Sequence, residues 1–158
     1  MTVMEANPEA GTTPALNPRD LIDPVLFDKL VARVQEDQQV AQFYAVGMVE
    51  QMLVYLKAVA EYGGRPGNLA PSKAVDPAWH VFVLHTAEYR AFCADLGGGF
   101  IEHTPVVTED ITSGNALART LDAMRATGYA VDERYWQLGT WTSCCSTENC
   151  HSQIAYLA

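Results

Sequence analysis

The stretch VDPAWHVFVLHTAEYRAFCADLGGGFIEHTP, residues 75–105, carries His80, His85 and His103 with Asp76 and Cys93. A second cluster, CCSTENCH at residues 144–151, adds Cys144, Cys145, Cys150 and His151. Imidazole, thiolate and carboxylate are the side chains that hold zinc and related ions. Imidazole beside a carboxylate is also an acid–base pair, and a thiol beside an imidazole is a nucleophile with its base. Metal binding, acid–base catalysis and sulfur chemistry are therefore the chemistries on offer.

Which of these side chains can meet depends on the element that carries them. DPAWH reads as a helix start, with proline in the first turn where its missing N–H costs nothing, and the helix is predicted to run to about Leu96, where Gly97, Gly98 and Gly99 stop it. On a wheel of about 100° per residue with Trp79 at zero, Asp76 and His80 fall near 60° and 100°. His85, Tyr89 and Cys93 fall near 240°, 280° and 320°. The two helical histidines are thus about 140° apart and cannot chelate one ion from a regular helix. Two arrangements stay open. In one, Asp76 caps the helix or orients His80, which acts as ligand, base or buried hydrogen-bonding group. In the other, His85 is the ligand, with Cys93 about 12 Å further along the axis. His103 can join either if the glycines reverse the chain. The plainer alternative for Tyr89 and Cys93 is a place at the edge of the apolar stripe formed by Trp79, Phe82, Val83, Phe92 and Leu96.

The tail offers a tetrahedral set in part. Cys145, Cys150 and His151 supply three ligands, Cys144 points poorly at an ion shared with its neighbour, and His80, His85 or His103 would supply the fourth. Zinc is the first expectation, with iron or copper as alternatives. Vicinal thiols also suit sulfur transfer or disulfide exchange, with Cys150 as nucleophile and His80 or His151 as base. A third alternative is a non-enzymatic partner or a modified peptide precursor whose tail is the functional part, and the plain one is a flexible reduced tail with incidental cysteines.

The surrounding elements read as all-α, a small helical bundle. Asp23 suits an N-cap and Pro24 the first turn. From there Leu26, Leu30, Val34, Ala41, Tyr44, Met48, Met52, Tyr55 and Val59 recur at spacings of mostly three and four. That predicts one long amphipathic helix, or two broken near residues 36–39. YGGRPGNLAPSKA is a loop and FIEHTPVV an extended connector. TEDITSGNALARTLDAMRATG predicts a helix with Leu117, Leu121 and Met124 on one face and Gly128 just past its end. VDERYWQL adds one helical turn. Residues 1–20 are expected to be a disordered arm, 21–138 the helical domain, and 139–158 an irregular cysteine-rich tail.

Charge narrows the partners. Ten Lys and Arg against nineteen Asp and Glu leave a formal charge of −9, with no basic face. Phosphate backbones and anionic membranes would repel such a chain, so neither nucleic acid nor membrane is expected as a partner. The longest apolar run reads as too short to span a bilayer, and the N-terminus lacks the basic and apolar regions of a secretory signal. A cytoplasmic location is the expectation, and the cysteines are read there as thiols or ligands rather than disulfides. No phosphate-binding glycine loop or Ser-His-Asp arrangement competes.

Residues 71–105 resemble the V-D-x-x-W-H segment of the glycine-rich-domain-protein-like family, and small bacterial members in particular. The matching positions are Val75, Asp76, Trp79, His80, Leu84, His85, Thr86, Tyr89, Phe92, Cys93, Gly99, Phe100, Ile101, His103 and Pro105. Members often carry a second histidine where this chain has Glu102. The resemblance implies membership and names no substrate. The residues themselves favour a small metal-binding protein, with catalysis, a small-molecule substrate or a protein partner left open.

Overall fold

The computed structural model describes residues 13–105, 107–138 and the backbone of 152–153. Helix α1, Pro24–Gln38, begins as predicted: the Asp23 carboxylate accepts from the backbone N–H of Val25 and Leu26, and Pro24 occupies the first turn. Gln39, at φ 52°, ends it, and α2 follows as Gln42–Tyr62. The break therefore falls at the end of the predicted window.

Helix α2 is apolar nearly all round and runs through the centre, with α1, α3, α4 and α6 packed on it. Val49, Met52, Leu53, Val54, Tyr55 and Leu56 are fully enclosed, and burial of the five apolar chains other than Tyr55 is worth about 1.5–3 kcal/mol each. By length and composition α2 could cross a membrane, against the expectation that no run was long enough. However, 61% of its most apolar window is buried inside the fold. Core packing accounts for its hydrophobicity.

The helix predicted over residues 76–96 is two helices, α3 (Asp76–Leu84) and α4 (Thr86–Leu96), hinged at His85. The cause is local. The His85 N–H donates to the Phe82 carbonyl rather than to Val81, and the imidazole Nδ1–H takes over the vacated Val81 carbonyl at 3.0 Å. A side chain thus replaces a backbone donor at the break. Wheel angles assigned across His85 do not hold beyond it.

After α4, Gly97 and Gly99 adopt left-handed φ values of 75° and 85°, and the chain reverses. Gly98 sits against Ala60 of α2, where an added Cβ would come within 3.1 Å of its Cα. Thr104–Pro105 forms β1, antiparallel to β2 at Ser152–Gln153. The next predicted helix is also divided, into α5 (Glu109–Thr112) and α6 (Asn115–Ala126), by Gly114 at φ 85°. Gly128 has the expected positive φ past the end of α6. Met124 is buried, with Leu117 and Leu121 packed beside it. A single 3-10 turn at Glu133–Tyr135 follows. The fold is the all-α bundle that the periodicity indicates.

Ordered contacts begin before Asp23. Leu16 donates to the Gly128 carbonyl at 2.9 Å and accepts from Ala130 at 3.1 Å. Pro18 is buried at the start of a 3-10 turn, and Arg19 pairs with Glu50 of α2.

Candidate metal centre

Asp76 is the first residue of α3, one position inside the helix. The turn that launches the helix is held by Ser72, whose hydroxyl accepts from Val75 N–H and whose carbonyl accepts from Asp76 N–H. The buried Asp76 carboxylate faces two imidazoles. His80, one turn later on the same face, places Nε2 3.2 Å from Oδ2. His103, delivered by the glycine reversal, donates from Nε2 to Oδ1 at 3.0 Å. The rings of His80 and His103 lie 4.5 Å apart at 58°.

One ligand atom from each of the three residues lies within 4.8 Å of the others, a group able to hold a metal ion. Ligands about 2.0–2.2 Å from a divalent ion stand roughly 3.0–3.5 Å apart at tetrahedral or octahedral angles. The two carboxylate–imidazole separations fall in that range. Access is one-sided: the His103 side chain is 13% exposed and that of His80 is 42% exposed.

Burial pushes the His80 imidazole below its ordinary pKa; the Asp76 carboxylate opposes this and the neighbouring His103 adds to it. A neutral imidazole is the form that binds metal. Behind His103 stands Trp79, ring to ring at 4.2 Å and 51°. The Trp79 Nε1–H donates to the Tyr89 hydroxyl at 2.9 Å, and that hydroxyl donates to the Ile101 carbonyl at 2.6 Å. Burial raises the Tyr89 pKa, which keeps the phenol protonated and able to donate.

The structure therefore joins Asp76, His80 and His103 and leaves out His85. The His85 imidazole is engaged with the Val81 carbonyl at the hinge and is not in the group that forms among the described residues. Cys93 is buried against the Ile101 segment and its thiol pKa is raised by burial, the environment of an inert core cysteine. Cys144, Cys145, Cys150 and His151 lie outside the described residues, so the expected tail ligands and the Cys150 nucleophile lie there too. Trp79 and Tyr89, core residues by their place in the apolar stripe, also reach His103 and the Ile101 carbonyl. Their spacing of ten residues gave no signal, because the contact depends on the hinge at His85.

No curated protein and no solved structure matches the chain. Residues 19–126 match the family model described as UCP032817-like, an uncharacterised family. The match overturns the resemblance to glycine-rich-domain proteins. The V-D-x-x-W-H segment that carries that resemblance lies inside the matched span, and Gly97–Gly99 serve one tight reversal between α4 and His103. Helices α1 to α6 and all three residues of the centre lie within the matched span, and the chain belongs to the UCP032817-like family.

Proposed function

We propose that this chain is a small cytoplasmic metal-binding protein in which Asp76, His80 and His103 hold one zinc or ferrous ion. The observation that carries the reading is a single buried carboxylate with an imidazole Nε2 at each oxygen, at 3.0 and 3.2 Å, drawn from a helix and from a separate connector. Two histidines and a carboxylate with neighbouring positions open are a ligand set of both catalytic zinc and non-haem iron sites. Three protein ligands leave room for a fourth, and the half-exposed edge of His80 gives a small molecule access to it. When bound, such an ion polarises a water or a substrate oxygen. Asp76 supplies the charge, His103 the enclosed wall, and His80 the open side.

The test is metal analysis of the purified protein, followed by titration of the stripped protein with Co(II). The expected result is one ion per chain, lost in both His80→Ala and His103→Ala. A metal-free protein that develops no Co(II) ligand-field absorption would sink the reading.

A further inference from the structure

We infer that Tyr89 is a positioning residue for His103, acting through Trp79 on one side and the Ile101 carbonyl on the other. The inference concerns how the centre proposed above is assembled, and it rests on that reading only for its metal-affinity arm. His103 reaches Asp76 from outside α3, at the end of a reversal whose glycines impose little direction of their own. Something must fix where the connector lies. The Tyr89 hydroxyl, fully enclosed, donates to the carbonyl of Ile101, two residues before His103. The same oxygen accepts the Trp79 indole N–H, and the ring of that indole lies 4.2 Å from the His103 ring. One hydroxyl therefore sets both the backbone that leads into His103 and the aromatic wall the imidazole leans on.

The direction of this chain is fixed by chemistry. An indole N–H only donates and a carbonyl only accepts, so the phenol must accept from the first and donate to the second. Phenylalanine fills the same space and can do neither. The hinge at His85 is what permits the arrangement. On a straight helix Trp79 and Tyr89 would stand about 15 Å apart along the axis, too far for a direct hydrogen bond between their side chains. His85, which does not join the centre, shapes it by bending the chain.

The experiment compares wild type, Tyr89→Phe, Trp79→Phe and a remote core variant, Val34→Ala, in the 158-residue chain. Without metal, NMR reads the His103 ring protons, which the Trp79 ring shifts by its ring current. With Co(II), the affinity and the absorption spectrum are read. Expected are a collapse of the His103 ring-current shift in Tyr89→Phe and a loss of roughly tenfold in Co(II) affinity for both aromatic variants, the size usual for partners that orient a metal ligand. Val34→Ala is expected to lower the melting temperature while leaving both signals in place. Tyr89→Phe that melts lower but keeps the His103 shift and the affinity would overturn the inference. If wild type binds no Co(II), the metal reading fails by itself, and the metal-free His103 signals alone decide whether Tyr89 positions that ring.

Discussion

Replacing Asp76 by asparagine separates a metal centre from a mere hydrogen-bonded cluster, because the two predict different responses to added ion. Asparagine keeps the shape of the side chain. Its Oδ1 can accept from His103 Nε2–H, and its amide can donate to His80 Nε2 in the other tautomer, so the metal-free cluster stays satisfied. What is lost is the charge. A hydrogen bond to a charged group is worth about 1.5–3 kcal/mol against about 0.5–1.5 for a neutral one. Relief from burying a carboxylate offsets part of the loss, leaving a net cost of about 1 kcal/mol. For a chain of this size that lowers the melting temperature by about 4 °C.

The effect with metal is larger. An ion at 100 times its dissociation constant adds about 2.7 kcal/mol to the folded state, or roughly 10 °C. Scanning calorimetry of wild type and Asp76→Asn, each with EDTA and with a slight excess of Zn(II), reads both quantities. Wild type should rise by roughly 10 °C on zinc addition, and Asp76→Asn should start about 4 °C lower and rise by almost nothing. The reasoning is refuted if zinc leaves wild type unmoved, or if the variant rises as far as wild type does. An equal loss in both solutions would mean that the carboxylate serves the histidines alone.

Two further outcomes follow from single residues. Gly47→Ala puts a Cβ 2.0 Å from the Tyr135 hydroxyl oxygen, so the Tyr135 ring, or the 3-10 turn that carries it, must move; a cost of about 1–3 kcal/mol is expected in urea denaturation, and a neutral result would show that the ring gives way freely. His80 has a folded-state pKa below the ordinary imidazole value near 6.5, so protonation favours the unfolded chain. In EDTA its contribution is fully present above about pH 6.5 and is lost as the pH falls from there toward the folded pKa. The slope cannot exceed about 1.4 kcal/mol per pH unit for one proton and should be well below that, since the side chain is 42% exposed. The stability of wild type minus that of His80→Gln isolates it, and a difference that grows as the pH falls through this window would contradict the sign.

How far the sequence reaches depends on whether a contact is local. Asp23 and Pro24 announce the start of α1 because the cap needs only its own next three residues. Asp76 and His80 meet because four residues make about one helical turn. A regular helical wheel does not hold beyond His85, where no proline or glycine marks the break; an imidazole taking over a backbone carbonyl leaves no compositional trace. The meeting with His103 was bounded but not fixed. Three glycines announce a reversal, yet where it lands is decided by a phenol, an indole and a carbonyl brought together by that unmarked hinge. The residue with the clearest ligand chemistry in α3 and α4 besides His80 thus turns out to be their hinge. Spacing identified the side chains that can bind an ion, and tertiary hydrogen bonds determine which of them face one another.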